Sequence, residues 1–210
     1  MATVRQPLDF SPRKRPSQRR SRETFDALVE ACAGLLARRG YAETTTNHIA
    51  ERAGVNIASL YEYFPGKDAI VAQVAERLVE RVLARLAEAA DEVMAAGGED
   101  AVRLWIERIH EIVSRERELV AVFVYQVPYT RELAPVEAVG ARLLELSQEV
   151  RRRAGGTLAR ELSDAGLHLL INLVTSTILQ CILDPPPGVA PRELLDELVR
   201  RVEAWLPRPR

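Results

Sequence analysis

Residues 44 to 67, TTTNHIAERAGVNIASLYEYFPGK, constrain the fold of this 210-residue chain more than any other segment. Their pattern predicts two short helices joined by a tight turn. Thr44 or Thr45 can accept a backbone N–H at the start of the first helix, and Gly54 can end it with a positive φ. Asn56 can cap the second helix in the same way. Two helices in this arrangement form a helix-turn-helix, the motif that places a helix in the DNA major groove.

The second short helix has an inner and an outer face. We expect Leu60 and Phe64 to face inward, with Val55 packing on Leu60 as a hydrophobic staple. Pro65 disfavours helical backbone at the residue before it, so the helix stays about two turns long. The outer face is left for a partner and comprises Ile57, Ala58, Ser59, Glu62 and Tyr63.

The order of Thr-Thr, Ile-Ala, Ala-Gly-Val, Leu-Tyr, Phe and Lys in this segment closely resembles the tetracycline-repressor (TetR-like, AcrR) family of bacterial transcriptional regulators. The resemblance covers about residues 23 to 70. It implies an all-α fold with an N-terminal three-helix DNA-binding domain and a larger C-terminal helical domain for ligand binding and dimerisation. About nine helices are expected in total.

Composition and periodicity agree with an all-α fold. The apolar fraction is 47% with only 5% aromatic residues, and Ala, Leu and Val supply most of it. A first helix is expected from about Ser21 to Gly40, with an apolar stripe that covers the two short helices. Later apolar periods predict helices near residues 66–94, 102–113, 119–127, 136–154, 158–183 and 192–206. We therefore divide the chain into a basic arm (1–22), a DNA-binding domain (23–67) and a ligand-binding and dimerisation domain (68–210).

The arm is strongly basic although the whole chain has a formal net charge of −1. One interpretation is a solvated, disordered tail, because its prolines and its lack of apolar residues oppose packing. The other is a DNA clamp that binds phosphates or enters the minor groove. Both hold if the arm is disordered until DNA is present. Its basic residues are Arg5, Arg13, Lys14, Arg15, Arg19, Arg20 and Arg22, opposed by Asp9 alone.

Candidate DNA contacts follow from chemistry and from the family resemblance. The hydroxyls and free backbone N–H groups at Thr45 and Thr46 favour a phosphate. The resemblance implies that Asn47 reaches a base, with a surface polar residue as the alternative. It also places Tyr61 and Lys67 on phosphates, with a solvated lysine as the alternative for Lys67. By the same resemblance, the residues in the groove are Ile57, Ala58, Ser59 and Tyr63.

Glu62 motivates a rival hypothesis. A carboxylate near phosphate is repelled unless it accepts from cytosine N4, and residues 23–67 carry a net charge of −2. The chain could thus be a helical ligand-binding or dimeric interaction protein with a vestigial helix-turn-helix. The favoured function remains a homodimeric repressor that binds a pseudo-palindromic operator and is released by a small, hydrophobic effector.

The larger half is expected to hold that effector and the dimer interface. Polar or aromatic residues within apolar helices are the candidate ligand contacts, although each could be an ordinary core residue: Trp105, His110, Tyr125, Gln126, Tyr129, Asn172, Thr175, Ser176 and Gln180. The last two predicted helices are assigned to a homodimeric four-helix bundle, with lining of the monomer core as the alternative. The candidate interface residues are Leu167, Leu170, Val174, Ile178, Leu195, Leu198, Val202 and Trp205.

Other functional classes are not favoured. The sequence has no Gly-rich phosphate loop and no nucleophile with a nearby base motif, so we predict neither an enzyme nor a cofactor. His48, His110 and His168 lack metal-ligand spacing, so no metal is predicted. Cys32 and Cys181 lie in apolar runs and are expected to be buried, unpaired thiols. We expect a bacterial cytoplasmic protein at the nucleoid, with no membrane partner.

Overall fold

A computed structural model describes residues 10–96, 101–154 and 163–206. These residues form helices and connecting turns without a strand, which confirms the all-α fold. The α-helices are α1 Arg19–Arg39, α2 Thr46–Ala53, α3 Ile57–Tyr63, α4 Lys67–Ala96, α5 Ala101–Arg115, α6 Arg117–Tyr125, α7 Ala134–Glu137, α8 Val139–Ala154, α9 Asp164–Leu183 and α10 Pro191–Trp205, and a 3-10 turn spans Thr130–Glu132. The predicted helix over 136–154 is thus two helices, and the predicted residues 158–162 lie outside the described part of the chain.

The chain forms two compact units. Among the described residues, unit 1 comprises 10–79 and Glu118–Glu137, and unit 2 comprises 80–96, 101–117, 138–154 and 163–206. The segment 118–137 therefore belongs to the same compact unit as the helix-turn-helix, although it lies far along the chain. The functional boundary between residues 67 and 68 remains a prediction, since compactness does not test which residues bind DNA or a ligand.

Unit 1 has the core that the sequence predicts. One face of α1 buries Phe25, Leu28 and Cys32, and α3 buries Leu60 against the same core. The rings of Phe25 and Phe64 lie 4.7 Å apart at an interplanar angle of 32°. Both cysteines are buried free thiols, as predicted, and burial raises the pKa of Cys32 to about 12.

A half-buried carboxylate joins distant parts of unit 1. Asp68, in the first turn of α4, accepts a hydrogen bond of 2.8 Å from the Tyr41 hydroxyl and one of 2.7 Å from the Tyr129 hydroxyl. The backbone N–H of Tyr41 donates to Gln126 Oε1 at 2.9 Å. Gly40 has a φ of +76°, and a Cβ there would overlap the Gln126 side chain. These bonds fix segment 118–137 to the loop after α1 and to the start of α4.

The expectation that the arm's composition forbids packing is wrong for residues 10–18, which we call the strap. Phe10 and Pro12 are half-buried, and the Phe10 ring lies 4.9 Å from the Tyr129 ring. The backbone N–H of Arg13 donates to the Tyr63 carbonyl at 2.8 Å. One aromatic ring and one backbone donor suffice to dock a segment that is otherwise polar. Residues 1–9 of the predicted arm lie outside the described residues.

Unit 2 has a core built by α5, α9 and α10. Its buried residues are Ile106, Ile178, Ile182, Leu198, Val199 and Val202. The helix α9 has a mean hydropathy of 1.7 and is long and apolar enough to cross a membrane, a test that core helices of soluble proteins also pass. Ser163 caps its start by accepting from the Gly166 N–H at 3.1 Å.

Most of the predicted dimer interface lies in this core, which corrects the assignment. Leu167, Ile178, Leu198 and Val202 are buried within the single chain, and Leu170, Val174 and Leu195 pack partly buried against the same core. Of the predicted set, only Trp205 is strongly exposed, at 55%. The opposite side of α9 is the exposed one. We call it the outer face of α9, and it comprises Ala165, Leu169, Asn172, Leu173, Ser176 and Gln180.

Candidate nucleic-acid interface

Two side-chain caps build the helix-turn-helix. Thr45 Oγ1 accepts from the His48 N–H at 3.2 Å and starts α2. Gly54 ends α2 in the left-handed region with a φ of 66°. Asn56 Oδ1 then accepts from the Ala58 N–H at 2.8 Å and starts α3. These three local features were all predicted from the sequence. Thr44, the other possible cap, is buried and instead donates to the Gly40 carbonyl at 2.7 Å.

The exposed side of the motif carries most of the predicted DNA contacts. Asn47 and Ala58 are exposed, and Ile57 and Ser59 are partly exposed. Thr46 and Tyr61 meet across α2 and α3, with their hydroxyl oxygens 3.2 Å apart. The surface offers small apolar contacts flanked by hydroxyl and amide groups that can bind phosphates or base edges.

Tyr63 differs from its predicted position. Only 7% of its surface is exposed, and its ring packs edge-on against Phe25 at 6.2 Å. Tyr61, by contrast, is 41% exposed. The prediction that Tyr63 belongs to the outer face is therefore wrong, because Tyr63 follows Leu60 by three residues and shares its inward side of the helix. Glu62 is exposed, as expected for a residue at the rim.

Lys67 is partly engaged inside unit 1. Its Nζ donates to the Tyr41 carbonyl at 3.0 Å and lies 3.8 Å from the centroid of the Tyr41 ring. An ammonium has three donors, so this geometry leaves capacity for a phosphate while it restricts where the group can reach. Its role as a phosphate ligand stays a prediction.

Positive charge is concentrated at the strap and the start of α1. Residues 10–22 contain six basic side chains and no acidic one. Arg19 pairs with Glu23 at 2.9 Å, and Arg22 donates to the Ser17 carbonyl. Three other cations, Lys14, Arg15 and Arg20, are exposed and make no side-chain bond to another described residue. These three are available for nonspecific phosphate attraction.

The predicted ligand contacts separate into two groups. Tyr125, Gln126 and Tyr129 belong to unit 1, where Gln126 and Tyr129 hold Tyr41 and Asp68 as described above and Tyr125 is 61% exposed. The other six belong to unit 2. There Asn172, Ser176 and Gln180 lie on the outer face of α9, whereas Trp105, His110 and Thr175 are half-buried.

A cleft of about 500 Å³ lies between α5 and α10 in unit 2. Ile106, Leu195 and Val199 supply its apolar lining, and further lining residues are Arg103, Glu107, His110, Pro191, Arg192 and Asp196. Arg103 donates to Asp196 at 2.6 Å, and this bond lowers the pKa of Asp196. Partial burial lowers the pKa of His110, which favours its neutral form. Of the predicted ligand contacts, His110 alone lines this cleft.

Sequence reasoning missed the structural roles of Arg13, Asp68, Gln126 and Tyr129. Each of these residues contacts a partner that is distant in the sequence. The partners of Arg13, Gln126 and Tyr129 lie at least 48 residues away, and the nearer partner of Asp68, Tyr41, lies 27 residues away. The local pattern therefore carries no direct signal for these pairs. The one hint was chemical, since Tyr129 carries a polar group in an apolar stretch and a buried hydroxyl needs a partner.

Comparison with known proteins assigns the helix-turn-helix segment to a family. Residues 28–74 match the family model described as bacterial regulatory proteins, tetR family. This segment is a TetR-family segment. This match covers α2, α3 and the adjacent parts of α1 and α4, which are the elements that form the candidate interface.

Two curated TetR-like relatives are transcriptional regulators. The chain is 33% identical over 98 residues to the HTH-type transcriptional regulator EthR of Mycolicibacterium smegmatis, covering 46% of this chain and 45% of that protein. It is 29% identical over 126 residues to TtgR of Pseudomonas putida, covering 58% and 59%. The chain thus spans about half the length of the curated relatives that it matches.

A solved structure extends the similarity of the fold along most of the chain. FadR of Thermus thermophilus, a TetR-family transcriptional repressor in complex with lauroyl-CoA, superposes with a TM-score of 0.57. The two are 25% identical, and the match covers 89% of this chain and 97% of that one.

Proposed function

We propose that this TetR-family protein is a homodimeric transcriptional repressor that binds a pseudo-palindromic operator and is released by a small effector. The observation that carries the proposal is the capped helix-turn-helix with an exposed outer side. Asn47, Ala58 and Tyr61 are exposed on that side. Leu60 and Phe64 anchor α3 in the core. Recognition of bases in the major groove requires a rigid helix whose side chains point outward.

Binding by two copies follows from the geometry of DNA. Half-sites one turn apart, about 34 Å, are matched by two reading helices related by a two-fold axis. The outer face of α9 supports such a pairing, because it leaves Leu169 and Leu173 exposed on a helix whose other side is already packed. Trp205 at the end of α10 adds a third exposed apolar side chain in the same unit. A self-complementary bundle of α9 and α10 would cover them.

The effector is proposed to be a small amphipathic molecule that binds in unit 2. The cleft between α5 and α10 combines an apolar lining with the Arg103–Asp196 pair and with Arg192, which suits an apolar chain that carries a polar or anionic group. The lauroyl-CoA complex of the Thermus thermophilus repressor makes acyl-CoA thioesters the first class to test. We expect the protein to act in the bacterial cytoplasm, at the nucleoid.

The rival function is a helical ligand-binding or dimeric interaction protein with a vestigial helix-turn-helix. Exposed Glu62 favours it, since this carboxylate lies on the side that faces DNA. The available cations Lys14, Arg15 and Arg20 oppose it, because they outnumber this carboxylate and supply the attraction that nonspecific DNA binding needs.

Fluorescence anisotropy separates the two functions. The probe is a labelled duplex from the region upstream of the protein's own gene, titrated at several salt concentrations against a scrambled duplex of equal length. The repressor predicts salt-dependent binding that prefers the upstream duplex, and Lys67→Ala should make the salt slope shallower by about 0.9. Lys14→Ala is the control for loss of one nearby cation. Equal, weak binding of both duplexes by the wild-type protein would support the rival.

A further inference from the structure

The C-terminal end of α3 is held by a residue from far earlier in the chain. A helix of seven residues leaves its last carbonyl groups without partners inside the helix. The Leu60 carbonyl accepts from the Phe64 N–H at 2.9 Å. The Tyr61 carbonyl accepts from Nη1 of Arg13 at 3.1 Å, and the Tyr63 carbonyl accepts from the Arg13 backbone N–H at 2.8 Å. Arg13 thus supplies both a main-chain and a side-chain donor.

A cation at this position suits the charge of the helix end. The carbonyl groups at a helix C-terminus carry partial negative charge, and a guanidinium there is favourable. The effect matters more for α3 than for a long helix, because two turns are marginal without tertiary support. Arg13 is therefore placed where it stabilises the last turn of the reading helix, which carries the exposed Tyr61.

The strap holds Arg13 at this position from both sides. Towards the N-terminus, the Phe10 ring packs on Tyr129 with a centroid distance of 4.9 Å. Towards the C-terminus, Arg22 donates to the Ser17 carbonyl from two nitrogens, at 3.2 and 2.6 Å. With both ends docked, the strap is an ordered part of unit 1 at Arg13.

We propose that Arg13 is a positioning residue for DNA recognition that acts by capping α3, and not a phosphate ligand. The inference rests on the proposed function, since α3 must read DNA for its position to matter. It assigns different roles to neighbouring cations of one segment. Arg13 sets the orientation of α3, whereas Arg15, exposed and without a side-chain bond to another described residue, is free to attract phosphate.

The two variants Arg13→Ala and Arg15→Ala test this assignment, because each removes one arginine and one positive charge. Hydrogen exchange of the full-length protein without DNA gives the first readout. In Arg13→Ala the amides from Leu60 to Phe64 should exchange about threefold to tenfold faster, the effect of one exposed charge-assisted hydrogen bond. In Arg15→Ala they should exchange as in the wild type. Arg13→Lys, which keeps a charged donor, should restore most of the protection.

Binding to two duplexes gives the second readout. Specific affinity depends on the orientation of α3, whereas affinity for a scrambled duplex depends on charge alone. Arg13→Ala should weaken binding to the upstream duplex about threefold to tenfold with an unchanged salt slope, while its affinity for the scrambled duplex stays within about twofold of the wild type. Arg15→Ala should lower both affinities by the same factor. A general loss of folding would instead lower the fraction of active protein for both duplexes.

The outcomes separate this inference from the proposed function. Specific binding by the wild-type protein, combined with unchanged hydrogen exchange in Arg13→Ala, would overturn the role of Arg13 alone. A salt slope that becomes shallower in Arg13→Ala, with equal losses on both duplexes, would make Arg13 a phosphate ligand and also overturn it. Absence of any specific binding by the wild-type protein would overturn the proposed function, and the role in recognition with it.

Discussion

The hydroxyl oxygen of Tyr61 lies 3.2 Å from the hydroxyl oxygen of Thr46. One residue belongs to α3 and the other to the first turn of α2, so the pair joins the two helices at the exposed side of the motif. Both residues were predicted to bind phosphate. Their proximity means that one phosphate oxygen could accept from both hydroxyls at the start of α2, where free backbone N–H groups also favour an anion.

We therefore expect Tyr61→Phe to weaken DNA binding by about threefold to tenfold, the net contribution of one ordinary hydrogen bond at an exposed position. Anisotropy titration with the upstream duplex measures the change. Tyr125→Phe is the matched control, since Tyr125 is also an exposed tyrosine of unit 1. Equal affinities of Tyr61→Phe and the wild-type protein would show that this hydroxyl does not contact DNA.

Tyr63 should act through stability. Removing its buried ring in Tyr63→Ala is expected to destabilise the fold by about 3 kcal/mol, measured by denaturant unfolding, because the ring packs on Phe25 in the core. Tyr63→Phe keeps the ring and should leave DNA affinity within about twofold of the wild type. A large loss of affinity in Tyr63→Phe, with stability unchanged, would restore the original prediction that Tyr63 contacts DNA.

The outer face of α9 should mediate dimerisation. Leu169→Glu would place an unpaired carboxylate in the proposed interface, which costs several kcal/mol, so the dimer should dissociate about a hundredfold more readily. Sedimentation across a concentration series measures this. Val124→Glu is the control, because Val124 is an equally exposed apolar residue on α6 of unit 1. An unchanged dimer in Leu169→Glu would move the interface elsewhere.

Tyr129 should make the fold sensitive to alkaline pH. Burial is the main cause that raises the pKa of Tyr129, and its bonds with Tyr41 and Asp68 raise it further. The unfolded chain releases this proton near pH ~10 while the folded chain retains it, so the stability from this group is complete below that pH and falls above it.

In Tyr129→Phe the proton is absent from both states. We expect this variant to be less stable at neutral pH by about 1 kcal/mol, because the Asp68 hydrogen bond is lost. Its stability should then decline above pH ~10 with a slope shallower by up to ~1.4 kcal/mol per pH unit. Urea unfolding between pH 7 and 11 measures both effects, and parallel declines in variant and wild type would contradict the assignment.

Gly40 should tolerate no side chain. Gly40→Ala combines a positive φ with an overlap between the new Cβ and the Gln126 amide, so we expect a loss of about 1–3 kcal/mol. Gly66→Ala provides the control, since a Cβ at Gly66 would meet nothing within 4 Å. Thermal unfolding compares the two. Equal midpoints would mean that the loop after α1 adapts without cost.

Local chemistry explains how much the sequence could predict. The caps at Thr45 and Asn56 and the stop at Gly54 each depend on residues within a few positions, so the pattern was sufficient. The inward position of Tyr63 also follows from helical spacing, since Tyr63 lies three residues after the inward Leu60, but Tyr63 was assigned to the outer face. The contacts of Arg13 with Tyr61, and of Tyr41 with Gln126, depend on tertiary packing and have no local signature.

Amphipathic periodicity had a similar limit for the last two helices. A helix that is apolar nearly all round predicts burial on all sides but not which side packs in its own chain. In α9 the side with Ile178 faces the core, and Leu169 lies on the opposite, exposed side of the helix. The interface prediction named Ile178 and other residues that pack inside the chain, because all-round apolarity does not distinguish the two sides.

The discontinuous composition of unit 1 has a consequence for protein engineering. The DNA-binding module proposed for this chain cannot be excised by one cut, because truncation after Val79 would remove the partners of Tyr41 and Phe10 in segment 118–137. A chimera that joins unit 1 to another ligand-binding domain must therefore include both the segment up to Val79 and the segment Glu118–Glu137. Single-crossover recombination between such regulators would separate them and leave Asp68 without one of its two tyrosine donors.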